Sequence, residues 1–287
     1  MPALHQLSSH SVTKIYPFYS IPCSTSRQNL PISPRTFSHR IYSSSSRHSS
    51  LASVAPLEAI LFDIDGTLCD SDPMHYYAFR EMLQEIGFHG GEPISEEFFI
   101  KSISGKHNEE LIQVLLPDWD LEKARIFMED KEAMFRRLAS EQIEPVTGLD
   151  QLCKWINHLG IRRAAVTNAP RPNAELLISK LGLEDFFEIF IIGSEHGRAK
   201  PFPDPYLKAL QLLGVSSDQT FVFEDSVSGI KAGVAAGMPV VGLSTRNPEK
   251  LLSEAGAVMV VKDFADSKLW LELEDLMKKK EAVKATT

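Results

Sequence analysis

The chain has 287 residues, 43% hydrophobic and 24% charged, with a formal net charge of −8 at pH 7. That acidic balance argues against a nucleic-acid or membrane surface as partner, and three cysteines make neither a disulfide framework nor a zinc spacing. A small anionic substrate stays open, because a bound cation and one or two lysines set the local field.

Residues 1–57 contain no Asp or Glu, but carry Lys14, Arg27, Arg35, Arg40 and Arg47 and many serines, including the run 43–46. Basic, serine-rich and acid-free is the profile of an organelle transit peptide. The stretch has no continuous apolar core for a secretory signal and nothing long enough to span a bilayer. Residues 1–55 are therefore expected to be a disordered transit peptide cut near 50–56, its serines favouring the plastid, with the mitochondrion as alternative. Its removal takes five positive charges and leaves −13 on the remainder. Cys23 falls inside it; Cys69 and Cys153 remain, and Cys69 reads either as a small apolar filler or as a redox-sensitive thiol.

The first expected strand, 59–62, runs into Asp63-Ile64-Asp65-Gly66-Thr67. Alternate residues of an extended chain share a face, so two carboxylates one residue apart converge on one small volume at a strand's carboxyl end. They repel unless a cation or a shared proton relieves them. The chemistry suggested is a magnesium site carrying an aspartate nucleophile; the alternative is an ordinary Asp-Gly turn.

From 73 to 144 no strand-like run occurs. Phe79, Met82, Leu83 and Ile86 form one apolar stripe, Leu111, Val114 and Leu115 another. Residues 120–141 form a longer amphipathic helix with apolar positions at Leu121, Ala124, Phe127, Met128, Met134, Phe135 and Leu138. An all-helical insert here is expected to be a lid over the acidic loop, leaving a core of 56–72 and 145–275 and a polar tail of 276–287.

In that core, expected strands at 164–167, 189–193, 220–223, 239–243 and 258–261 alternate with expected helices at 149–159, 174–181, 205–213, 229–236 and 248–255. Alternation of this kind implies a doubly wound α/β fold with a parallel sheet. Thr167-Asn168 ends one strand with a hydroxyl and an amide, which suit phosphate oxygens or simply cap the next helix. Lys200 lies among Pro201, Pro203 and Pro205, stiff enough to grip a phosphoryl group or neutralise a carboxylate. The strand at 220–223 ends in Glu224-Asp225. Magnesium takes oxygen ligands in octahedral array. Asp63, the Asp65 backbone carbonyl and Asp225 are expected to supply three, with Glu224 as ligand or outer neighbour.

These four signals, in this order, resemble the haloacid dehalogenase superfamily, and the likeness covers nearly all of 58–270. Asp63-Ile64-Asp65-Gly66-Thr67 matches its first motif, Thr167 the second, Lys200 the third and Glu224-Asp225 the fourth. The helical insert resembles the cap of the β-phosphoglucomutase branch, and Ser104-Gly105-Lys106-His107-Asn108-Glu109-Glu110 is most similar to plant broad-range sugar phosphatases. The resemblance implies a magnesium-dependent phosphomonoester hydrolase acting on small phosphorylated metabolites. Asp63 is then the nucleophile forming an aspartyl-phosphate, and Asp65 the general acid and base. Thr167, Asn168, Lys200 and Lys106 contact phosphate or substrate. His75 reads as a packing or hinge residue. A sugar-phosphate mutase, which relocates phosphate instead of releasing it, is the alternative, and a non-catalytic binding module a second one.

Overall fold

The four residues of β1 (Ala59–Phe62) are wholly buried, as a strand covered on both faces must be. This computed structural model describes residues 51–284 apart from Ala55. β1 lies in the middle of a six-stranded sheet with β2 (Arg162–Thr167), β3 (Ile189–Ile192), β4 (Thr220–Glu224), β5 (Val240–Leu243) and β6 (Met259–Val261). Every pairing is parallel and the order is β3-β2-β1-β4-β5-β6. The winding direction therefore reverses between β1 and β4, where open α/β sheets leave a crevice at the strands' carboxyl ends.

Strand alternation divides the core in two. Ile60, Phe62, Phe221 and Phe223 point to the face covered by α5 (Leu149–Leu159), α6 (Arg171–Lys180) and α10 (Ser267–Lys284). Ala59, Leu61 and Val222 point to the face covered by α7 (Asp204–Leu213), α8 (Val227–Ala235) and α9 (Glu249–Ala255). The expected doubly wound sheet is the fold observed.

Between β1 and β2 the chain leaves the sheet as a helical cap: α1 (Asp72–Glu85), α2 (Glu96–Ser102), α3 (Asn108–Leu115) and α4 (Leu121–Gln142). These helices enclose their own cluster, including Phe79, Leu83, Phe99, Leu111, Leu115 and Phe127. The outgoing and returning crossings run side by side, with the Asp70 amide donating to the Glu144 carbonyl at 3.1 Å and that of Val146 to the Leu68 carbonyl at 2.9 Å. Helix α4 straddles both bodies: Ala124, Phe127 and Met128 belong to the cap cluster, Phe135 and Ala139 to the main core.

Two boundaries differ from the sequence expectation. The expected leader lies outside the described residues as far as 50, but Leu51–Val54 is a 3-10 turn whose Leu51 and Val54 are buried in the main core. These two apolar side chains are therefore part of the fold. At the other end α10 continues through Lys284, because Leu269, Leu273 and Leu276 form one buried stripe at helical spacing. The polar tail expected from 276 is helix up to that point. Among the described residues no helix is long and apolar enough to cross a membrane.

Candidate active site

The turn after β1 brings Asp63 and Asp65 to the crevice. Gly66 has φ +75° there, and a Cβ on it would stand 2.2 Å from Asp225 Oδ2. Glycine is thus required twice, for the left-handed backbone and for the close approach of the carboxylate. The Thr67 hydroxyl donates to Asp225 Oδ1 at 3.3 Å.

Lys200 is the hub. It is 2% exposed, and its ammonium donates to Asp63 Oδ1 at 2.5 Å, Glu224 Oε1 at 2.7 Å and the Val166 carbonyl at 2.7 Å. All three N–H bonds are used, and they tie together the ends of β1, β2 and β4. Glu224 is equally engaged: Oε1 also accepts from the Tyr206 hydroxyl at 2.9 Å, and Oε2 accepts from the Ser226 amide at 3.2 Å and hydroxyl at 3.1 Å. Asn168 clamps the Lys200 backbone, accepting from its amide and donating to its carbonyl, both at 3.0 Å. Its Nδ2 also donates to the Gly105 carbonyl of the cap at 3.4 Å, so the side chain holds the lysine loop and reaches the cap. The Thr167 hydroxyl oxygen accepts from the Ala169 amide at 2.9 Å.

Asp65 is held differently. Its Oδ1 accepts from the Ser71 hydroxyl at 2.8 Å and faces His75 Nε2 at 3.2 Å, while its Oδ2 has no partner although buried. His75, expected as a packing or hinge residue, stacks flat on Phe135 with centroids 3.7 Å apart and meets Asp65 with its ring edge.

The electrostatics are those of crowded acids. Burial lifts the Asp63 carboxyl to about 8, with Lys200 opposing and Glu224 adding to the rise. Burial and the neighbouring Asp63, Asp72 and Glu224 raise Asp225 well above the carboxylate range. Lys200 is raised despite its burial, because Asp63 and Glu224 outweigh desolvation. Oxygens of Asp63, Glu224 and Asp225 lie within 4.8 Å of one another, with one ammonium among them. Such a hard-oxygen set fits a divalent cation, whose charge would offset the surplus.

The pocket over these residues is lined by both core and cap, with Phe79, Phe99 and Leu111 on the cap side. Lys106 lines it, paired with Glu110 on α3. Lys131 and Glu132 of α4 line it too, and the sequence reading did not single them out. Their signal was available: the buried stripe of α4 passes through Ala124, Phe127, Met128, Lys131, Phe135 and Ala139, which puts a lysine at a core position. Tyr206 was also missed, as one more apolar-looking position of α7. Of the two thiols, Cys69 is buried and raised well above the ordinary thiol by burial and the nearby acids, while burial lifts Cys153 to about 12. Both match small apolar fillers, since reactive cysteines are low in pKa and accessible.

Residues 57–237 match the haloacid dehalogenase-like hydrolase family. A phosphorylated carbohydrates phosphatase of Thermotoga maritima is 30% identical over 214 residues, 72% of this chain and 94% of that protein. A fructose-1-phosphate phosphatase of Escherichia coli is 34% identical over 188 residues, 63% of this chain and 94% of that protein. A β-phosphoglucomutase structure from Clostridium difficile superposes with a TM-score of 0.67 at 23% identity, over 77% of this chain and 98% of that one, a likeness of fold.

Proposed function

Because the chain belongs to the haloacid dehalogenase-like hydrolases, we propose that it hydrolyses the phosphomonoesters of small sugars through an aspartyl-phosphate at Asp63. One observation carries this most: Asp63 sits at the sheet's switch point bonded to Lys200, with Asp65 beside it holding one tethered and one unpartnered oxygen. Binding alone requires neither a nucleophile nor a free acid. The named activities of the two phosphatase relatives support phosphorylated sugars as substrate class.

In this reading an Asp63 oxygen attacks phosphorus in line, and the bond from phosphorus to the sugar oxygen breaks. Asp65 gives that oxygen its proton, then takes a proton from the water that attacks the same phosphorus and frees Asp63. The Ser71 and His75 contacts fix one Asp65 oxygen, so the free one delivers the proton. Lys200 opposes the rise of the Asp63 carboxyl and keeps it aimed, and Glu224 and Tyr206 keep Lys200 in place. Asp63, Asp225 and the Asp65 backbone carbonyl would hold magnesium, with Glu224 behind them as anchor of Lys200. When bound, that ion supplies positive charge for the phosphoryl oxygens and lowers the Asp63 carboxyl. Thr167 and the backbone amides after β2 are assigned to the phosphoryl oxygens, and the cap side chains Lys106 and Lys131 to the sugar end.

The test is phosphate release by the full chain across hexose, pentose, glycerol and glycolate phosphates, with magnesium, with chelator, and in Asp63→Asn. Metal-dependent release lost in the variant is expected. Release that survives in Asp63→Asn refutes the nucleophile, and relocation of phosphate without release means a mutase. We also assign residues 1–50 as a plastid import signal on their basic, acid-free, serine-rich composition; a reporter fused to them should enter plastids, and a diffuse cytosolic signal refutes it.

A further inference from the structure

Phosphoryl transfer leaves a buried polar chain on α4 unexplained. Lys131 and Glu132 are neighbours in sequence, and adjacent helical residues do not ordinarily face each other. Here both side chains are 2% exposed and the Lys131 ammonium donates to Glu132 Oε1 at 2.6 Å. The same ammonium stands 4.4 Å over the Phe79 ring, at the pocket. What turns the pair inward comes from the core. Asn173, fully buried in the first turn of α6, donates from Nδ2 to Glu132 Oε2 at 2.6 Å and accepts at Oδ1 from the Arg136 guanidinium at 2.9 Å.

Glu132 and Arg136 are four residues apart on α4, the spacing at which carboxylate and guanidinium pair directly. Instead an amide from another helix separates them. An amide meets both demands, its carbonyl facing the cation and its NH₂ the anion; the reversed orientation sets like against like. Charged partners make these the stronger kind of hydrogen bond. The Asn173 backbone amide donates to the Pro170 carbonyl at 2.9 Å, so the residue is fixed to the loop that follows Thr167 and Asn168.

We propose that Asn173 is a positioning residue for the substrate. It latches cap helix α4 to core helix α6 and, through Glu132, holds the Lys131 ammonium toward the pocket. This rests on the phosphatase reading. One Lys131 N–H goes to Glu132, which leaves donors for oxygens of the sugar. The phosphoryl end, assigned to Thr167 and the backbone amides after β2, has no bond to α4. Loosening the latch therefore weakens substrates long enough to reach Lys131 and spares those that are not.

The test compares a hexose phosphate with acetyl phosphate, using the full chain. Asn173→Asp sets a second carboxylate against Glu132. It should raise KM for the hexose phosphate on the order of tenfold or more, the worth of a charged hydrogen bond, while acetyl phosphate turnover falls no more than about twofold. Adding Glu132→Gln reverses donor and acceptor across the contact at unchanged net charge, and should restore KM to within about threefold of wild type. Equal losses on both substrates, no loss on either, or no rescue would overturn the proposal. If Asn173→Asp does not fold, Asn173→Ala carries the same two-substrate expectation. If the wild type turns over neither substrate, the phosphatase reading fails and hydrogen exchange along α4 decides the latch. Faster exchange in the single variant, recovered in the double, supports it; unchanged exchange overturns it.

Discussion

Replacing Gly229 by alanine adds one methyl group to α8, yet the structure makes it a severe change. A Cβ there would lie 1.6 Å from Glu224 Oε1 and 1.9 Å from its Cδ, so the Glu224 carboxylate must leave its place. The backbone makes no left-handed demand at this position, and in a helix alanine is ordinarily better than glycine by about 1 kcal/mol. Against that gain stands the loss of Glu224's bonds to Lys200, Tyr206 and Ser226. Breaking a buried ion pair costs about 3–5 kcal/mol, so the net loss is about 2–4 kcal/mol. For a fold of this size that lowers the melting temperature by roughly 5–15 °C. A freed Lys200 should also reduce kcat by about 10²–10³, the usual effect of losing one preorganised partner of the transition state. Thermal denaturation followed by circular dichroism, with phosphate release on the same sample, measures both. An alanine variant that melts at or above wild type and keeps most of its activity would refute the reasoning.

A chain beginning at Leu57 lacks Leu51 and Val54, both buried against the core; relative to one beginning at Ser50 it should lose at least about 3 kcal/mol and melt roughly 6–12 °C lower, and equal melting would show the turn contributes nothing. Burial alone would raise the Glu132 carboxyl, but Lys131, His75 and the bonds from Lys131 and Asn173 hold it near 2, against 4.5 ordinarily. Its stabilisation is thus complete above pH 4.5 and is lost as pH falls toward 2, up to about 3 kcal/mol, so urea midpoints of Glu132→Gln should fall less steeply over that window than wild type. Asp72 has the opposite sign: burial, opposed by His75 and reinforced by Asp65 and Asp70, lifts it to about 6 from 3.8. Ionising it costs the native state stability as pH rises from 3.8 through 6. Asp72→Asn should therefore gain stability relative to wild type at pH 7 and gain none at pH 4.

How much of the molecule was legible in its sequence depends on how locally each feature is determined. Asp63 and Asp65 were readable because a buried strand fixes the spacing of the residues at its carboxyl end, and Glu224 and Asp225 repeat that pattern on β4. The expected helix at 229–236 opens on a glycine whose purpose no local pattern states; the structure shows that Gly229 makes room for Glu224. Asn168 reads as a phosphate ligand from its place after β2, but its amide is taken by the Lys200 backbone, 32 residues away, a contact no local pattern reveals. The same holds for His75 against Asp65 and for Asn173, which stands just ahead of the helix expected at 174–181. In α4 the apolar positions were counted and the stripe was not followed through: Leu121 is exposed, whereas Lys131 and Glu132 are buried. A charged residue on the buried stripe of an amphipathic helix was the readable sign of a site.

The central claim, a covalent phosphate on Asp63, is tested most directly by mass spectrometry on Asp65→Ala. An aryl phosphate needs little proton donation to leave, so the first step can proceed in this variant while hydrolysis of the aspartyl-phosphate lacks its base. After brief reaction with magnesium present, acid quenching and digestion, the peptide carrying Asp63 should bear one phosphoryl group, and the same peptide from the Asp63→Asn/Asp65→Ala double variant none. Aryl alcohol released in step with free phosphate, with no phosphoryl group on that peptide, would contradict the account.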